Sequence, residues 1–252
     1  MDTIFITGTA GSGKSLLASR LLKFQQDNDQ FPIILNLDPG VVNLPYDPHI
    51  DIRDYIDIHT IMETYNLGPN GSLLMASDMM ATRLEELQTE VDKLNPDCVI
   101  VDTAGQIELF AFRASGMYFV SNFHADNKAM IFTFDGMLVS SPVNYVSVLL
   151  LASSVRLRLK TSQINVLTKR DLIIERLKSV LEWSTSITAL ESALNDEKDT
   201  LSSLLSKDLV RAAAKSGAME GLVAVSSLTT TGMVNLTASL ARILHQGEDK
   251  GS

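Results

Sequence analysis

The octapeptide Gly8-Thr9-Ala10-Gly11-Ser12-Gly13-Lys14-Ser15, "GTAGSGKS", decides how this chain is read. An apolar run over residues 3–7 precedes it and an amphipathic run over 14–26 follows it. Strand, glycine-rich turn and helix are the setting in which G-x-x-x-x-G-K-[ST] wraps phosphate. The glycines let backbone N–H groups curl around oxygens, and the start of the helix adds positive potential. Ala10, Gly11, Ser12, Gly13, Lys14, Ser15 and Leu16 are therefore the expected nucleotide contacts. Lys14 is expected to reach the β- and γ-phosphates, and Ser15 to hold Mg²⁺ through its hydroxyl. A glycine-rich turn that binds nothing is the competing reading.

The same alternation continues outward. Short apolar runs at 3–7, 32–36, 98–102, 129–134, 164–167 and 222–225 read as strands, almost all continuously apolar, as in a parallel sheet buried on both faces. Helical patterns lie between them at 14–26, 72–94, 109–122, 143–160, about 175–216 and 233–245. The order predicts an α/β, doubly wound, mainly parallel sheet with helices on both faces. The 252 residues, 45% hydrophobic, suit a single domain over 1–252, with helical insertions around 54–95 and 175–217. Such sheets bind ligands beyond the carboxyl ends of their strands, so chemistry is expected just after them.

Composition narrows the classes. A net charge of −9 argues against general nucleic-acid binding, and no specific nucleic acid is expected. No apolar run approaches the ~20 residues that cross a bilayer, so no membrane partner is expected. The first residues have no basic segment and read as no signal peptide. Cys98, the single cysteine, lies in "DCVIVD" and reads as a small core residue; a reducing, cytoplasmic setting fits.

Two further motifs follow strands. Asp102-Thr103-Ala104-Gly105-Gln106 places a carboxylate where Mg²⁺ on Ser15 can be held through water. The Gly105 amide is placed to donate to a γ-phosphate and Gln106 to orient an attacking water. Read alone, Asp102 is equally a turn residue. Thr168-Lys169-Arg170-Asp171 approximates N-K-x-D, the guanine motif, with Thr in the first place. Asp171 can accept from guanine N1–H and the 2-amino group, whereas adenine would leave it unpaired. The methylenes of Lys169 can cover the base. Read alone, the tetrapeptide is a solvated turn. Ser226-Ser227-Leu228, after the last apolar run, loosely fits a loop reading the guanine oxygen.

With these stretches in view, the chain resembles the GPN-loop GTPases from the P-loop to the last strand. The resemblance rests on "GTAGSGKS", "NLDPG", "LPYDPHIDIRDYI", "GPNG", "DTAGQIELF" and "TKRD". Gly68-Pro69-Asn70 is its specific element, because Ras-like proteins share "DTAGQ". Two positions depart from the family pattern: Ala104 replaces the usual proline and Thr168 the usual asparagine. The resemblance implies GTP hydrolysis to GDP and phosphate with Mg²⁺. It implies a homodimer whose GPN loop reaches the nucleotide site of the other subunit, and a part in assembling multi-subunit complexes, with RNA polymerase subunits or assembly factors as partners. The rival enzyme is a P-loop kinase passing phosphate to a small molecule. Gln106 favours water as the acceptor.

The stretch "NLGPNGS" also has a plain reading, with Asn70 as the N-cap of the helical pattern that follows. As a site residue, Asn70 would supply uncharged transition-state contacts in trans, since no arginine finger is evident. Asp38, in "NLDPG", either polarises the water or its metal shell, or forms a D-P-G turn. Lys14, Gln106, Asp38 and Asn70 are the catalytic candidates. Arg53 is expected to pair with neighbouring acids such as Asp54 or Asp57 at a helix start, with a charge near the phosphates as the other reading. Glu108 either tethers the segment after Gln106 or serves as a first-turn acid. The four histidines, His49, His59, His124 and His245, lack metal-ligand spacing. "LLMASDMMATRLEELQ" reads as a packing or interface face, and "ESALNDEKDTLSSLLSKD" as a solvated helix or an insertion that touches a partner.

Overall fold

A computed structural model describes residues 1–196, 200–215, 217 and 219–245. In chain order the elements are β1 (Asp2–Gly8), α1 (Lys14–Gln26), β2 (Pro32–Asn36), β3 (Ile50–Asp51), α2 (Ile58–Tyr65), α3 (Pro69–Met79), α4 (Leu84–Leu94), β4 (Cys98–Asp102), α5 (Ile107–Phe110), α6 (Ala114–Asn122), β5 (Asn127–Asp135), α7 (Pro142–Leu159), β6 (Ser162–Thr168), α8 (Ile174–Trp183), α9 (Ile187–Asn195), α10 (Thr200–Lys215), β7 (Val223–Ala224) and α11 (Met233–His245).

The strands form one seven-stranded sheet in the order β3-β2-β4-β1-β5-β6-β7, and every pairing is parallel. Burial on both faces explains the continuous apolar runs. Alternate residues sort to opposite cores: Ile4, Ile6, Ile34, Ile100 and Ile131 pack with α1 and α11, and Phe5, Ile33, Val99, Val101 and Phe132 pack with the helices of the other face. From β1 the chain runs first toward β2 and later toward β5, so the crevice lies beyond the carboxyl end of β1.

Some boundaries differ from the sequence reading. The pattern over 72–94 is broken at Met80–Arg83 by a 3-10 turn, which separates α3 from α4. The run over 109–122 divides into α5 and α6, and the 175–216 stretch into α8, α9 and α10; Ser216 and residues 197–199 lie outside the described residues. β3 was not expected; α2 falls within the helical insertion expected around 54–95. β3 is only two residues long, and α2 is stopped by Asn66 in the left-handed conformation, φ 51°. Cys98 is buried, with its thiol pushed up to about 12 by burial. Among the described residues no helix is long and apolar enough to cross a membrane.

Candidate nucleotide site

Three loops meet beyond the sheet. The P-loop joins β1 to α1, with Gly13 as the helix N-cap at φ 86°, a conformation that glycine adopts freely. Gly8 has φ 149°, and a Cβ there would lie 2.0 Å from Thr133 Oγ1, so only glycine lets β1 pass β5 at this point. Thr133 also holds the loop: its hydroxyl lies 2.6 Å from Ser12 Oγ, and Ser12 Oγ reaches Thr9 O at 2.7 Å.

Lys14 is 5% exposed, and its Nζ donates to the carbonyls of Gly8, Thr9 and Gly105 at 3.1, 2.9 and 2.9 Å. Burial lowers its pKa, opposed by the charges of Asp102 and Asp38. The lysine thus already spans the P-loop and the segment after β4.

Asp102 ends β4 and is 1% exposed. Burial raises its pKa to about 6, against the hydroxyls of Tyr46 and Ser15, which favour the ionised form. Tyr46 donates to Oδ2 at 2.7 Å, while Oδ1 is buried with no hydrogen-bond partner. A buried, partnerless carboxylate oxygen with the Ser15 hydroxyl facing the same group fits a divalent cation. Among the described residues no group of three or more His, Cys, Asp or Glu could hold a metal. A hydroxyl and a carboxylate oxygen suit Mg²⁺, which takes few protein ligands and completes its shell with water and phosphate. Ser15 and Asp102 would hold it.

Asp38 bridges two loops. Its Oδ1 accepts from the Gly40 amide at 2.9 Å and its Oδ2 from the Gly105 amide at 2.8 Å. The turn reading of Asp38 therefore describes a real contact, and the second oxygen joins it to the segment carrying Gln106. Asn36 supports the loop from both sides, accepting from Asp38 N at 3.0 Å and donating to Asp51 Oδ1 at 2.9 Å. Arg53 does not pair with Asp54 or Asp57. Its guanidinium forks onto Asp51 at 2.6 and 3.0 Å and reaches Val41 O, because Asp51, at the end of β3, faces it across the following turn. Arg53 is thus occupied in holding the Asp38 loop. Gln106 is exposed at the N-cap of α5, and Glu108 is an exposed first-turn acid of that helix.

The third loop follows β6. Thr168 is buried, and its hydroxyl lies 2.7 Å from Ser12 O and 3.1 Å from Phe134 O. It ties this loop to the P-loop. Lys169 has φ 55° and donates from Nζ to Gly11 O at 2.8 Å and Asp135 Oδ2 at 2.7 Å. Gly13, Leu16, Thr168, Lys169, Asp171 and Ser227, with Leu172 and Leu228, line a cavity of about 160 Å³ beside the P-loop. Ser226 is buried below it and accepts from Thr229 N at 3.1 Å. Sequence reasoning missed Tyr46, Thr133, Asp135 and Leu172. Only Tyr46 had a signal, its place in "LPYDPHIDIRDYI".

The Gly68-Pro69-Asn70 loop lies between α2 and α3. Asn70 is not the N-cap; Gly68 is, and Pro69 takes the first helical position, which leaves Asn70 inside the first turn. Pro69 lacks only an N–H that has no intrahelical partner in the first turn and has its φ preset, so the helix starts two residues earlier than it would with Asn70 as its cap. Leu73 of α3 lies directly on Gly40 of the Asp38 loop.

The fold and its three loops define a P-loop nucleotide-binding protein of the GTPase type. Residues 6–246 match the family described as "Conserved hypothetical ATP binding protein". GPN-loop GTPase 1 of Saccharomyces cerevisiae is 33% identical over 204 residues, covering 79% of this chain and 52% of that protein. GPN-loop GTPase PAB0955 of Pyrococcus abyssi is 33% identical over 180 residues, 71% of each chain. The crystal structure of PAB0955, described as a GTPase in apo form, superposes with a TM-score of 0.84 and 27% identity, covering 96% of this chain and 97% of that one. The chain belongs to the GPN-loop GTPase family. It spans about half the length of the yeast, Arabidopsis and Dictyostelium relatives that it matches.

Proposed function

We propose that the protein binds GTP and hydrolyses it to GDP and phosphate with Mg²⁺, as a homodimeric switch that assists assembly of a multi-subunit complex. The observation that carries this reading is the small cavity between Gly13, Lys169, Asp171, Ser227 and Leu228, which adjoins the phosphate loop. A purine held there would meet the Asp171 carboxylate, which suits the two donors of guanine and leaves adenine unmatched. Lys14 and the amides of the P-loop take the phosphates. Mg²⁺, when bound, neutralises charge on the β- and γ-oxygens. Gln106 orients the attacking water, and Asp38 fixes the segment that carries it. Asn70 serves the site of the other subunit. Client proteins of the RNA polymerase kind remain part of this proposal through the family resemblance alone.

The family description speaks of ATP and the relatives' names of GTP, so the base is the first point to test. Phosphate release is measured from GTP and from ATP with Mg²⁺, with and without small-molecule acceptors. The expected result is release from GTP without any acceptor. Equal release from ATP would remove the guanine assignment, and diphosphate formed only with an acceptor, the phosphoryl group going to that acceptor with no free phosphate, would replace this reading by the kinase one.

A further inference from the structure

We propose that Tyr46 is the positioning residue for Asp102, holding one carboxylate oxygen so that the other is presented to the divalent cation. This rests on the reading of Ser15 and Asp102 as the magnesium-holding pair. Tyr46 lies on the loop between β2 and β3, which is anchored to the phosphate-binding helix where Ser19 Oγ donates to Pro45 O at 3.0 Å. The ring packs against the core beneath α1 and α11. From there the hydroxyl meets Asp102 Oδ2 at 2.7 Å.

The two oxygens of Asp102 are thereby made unequal. Oδ2 has its partner, and Oδ1 is buried with none. An isolated buried carboxylate can rotate to spread its cost over both oxygens. A hydrogen bond to one of them fixes the rotation and leaves the other committed to whatever comes next. Partners that orient a ligand in this way typically change metal affinity by about 10- to 100-fold when removed. The loop carrying Tyr46 is continuous with the Asp38 turn, since Arg53, beyond Asp51, donates to Val41 O at 3.1 Å. Tyr46 therefore couples the cation site to the loop that holds Gly105.

The test uses the full chain and GDP. Mg²⁺ is titrated against GDP dissociation for the unaltered protein, for Tyr46→Phe and for Asp102→Asn. Tyr46→Phe keeps the ring and removes only the hydroxyl. It should raise the half-maximal Mg²⁺ concentration by about 10- to 100-fold while GDP affinity in EDTA and thermal unfolding stay near those of the unaltered protein. Ser19→Ala, which frees the loop without touching Asp102, should shift the midpoint in the same direction by less. An unchanged midpoint in Tyr46→Phe, with a large shift in Asp102→Asn, overturns the role of Tyr46 and leaves the metal reading standing. Loss of stability and of EDTA-state affinity in Tyr46→Phe at an unchanged Mg²⁺ midpoint would mark Tyr46 as packing only. If Asp102→Asn also leaves the midpoint unchanged, Asp102 does not hold the cation, and the proposal falls with that reading.

Discussion

At the P-loop, Ser12 is fully buried, its hydroxyl bonded to Thr9 O and beside Thr133 Oγ1, and its carbonyl accepts from Thr168. At the GPN loop, Asn70 is exposed, and its amide has no hydrogen bond among the described residues. The backbone beneath that amide is nonetheless fixed: Ser72 donates to Gly68 O from both its N–H and its hydroxyl at 3.0 Å, and Pro69 presets φ. Ser12 must satisfy its polar groups within the chain because it is fully buried, and each bond then positions the next residue. The GPN tip has a set backbone and an uncommitted side chain. That amide is open to solvent. One loop is finished by its own chain, and the other has the form of a part offered elsewhere.

Gln106 tests the first half of this contrast with the largest expected effect. It is exposed at the start of α5 and makes no cap bond there, so its side chain is free for chemistry rather than for the fold. Gln106→Ala should leave GDP affinity near that of the unaltered protein and slow single-turnover phosphate release by roughly 10²-fold. Normal turnover with collapsed GTP binding would make Gln106 a binding residue instead.

Asp171 gives the next effect. It is half-buried at the rim of the small cavity beside the P-loop, and its carboxylate has no hydrogen bond among the described residues. Asp171→Asn replaces an acceptor by a donor where guanine presents donors. It should cost on the order of 2–3 kcal/mol of GDP affinity, roughly 30- to 150-fold, with little change for ADP. Parallel titrations of GDP and ADP decide it; equal losses for both bases would mean that Asp171 supports the loop and does not read the base.

The contrast also explains what the sequence disclosed. Residues 14–26 and 233–245 match α1 and α11, because one apolar stripe packs on one sheet face. The P-loop, Asp102 and Asp171 are legible because their spacing from a strand end is local. Tyr46 and Asp135 are not, because their partners Asp102 and Lys169 lie 56 and 34 residues away and only the parallel pairing brings them together. The break between α3 and α4 is hidden for a different reason: Met80, which opens the 3-10 turn, and Leu84, which follows it, are both buried, so the apolar rhythm runs through the turn without a glycine or proline to mark it. Thr168 departs from the asparagine of the family pattern, and in place its buried hydroxyl reaches the P-loop carbonyl of Ser12 and ties the two loops together.

Asn70 carries the smallest effect on the chain itself and the most telling one on the pair. As the second residue of α3, outside the cap position and without a side-chain bond, it contributes little to the fold. Asn70→Ala should shift stability by no more than about 0.5 kcal/mol, checked by denaturant unfolding, and leave GDP affinity unchanged. A cap would have cost ~1 kcal/mol. If its amide contacts the transition state across a dimer, turnover should fall about tenfold, the loss of one hydrogen bond of roughly 1.5 kcal/mol. Mixing locates that bond. Asn70→Ala protein is combined with Gln106→Ala protein, and subunit exchange is followed with a tagged copy. In a mixed dimer, the Asn70→Ala subunit keeps its own Gln106 and receives the partner subunit's Asn70, so one site is whole and phosphate release should rise above that of either protein alone. A loop serving its own chain predicts otherwise, because one subunit then lacks its asparagine, the other its glutamine, and no intact site is rebuilt. Exchange without recovered activity would therefore assign the GPN loop to its own subunit and remove the division between a finished loop and an offered one.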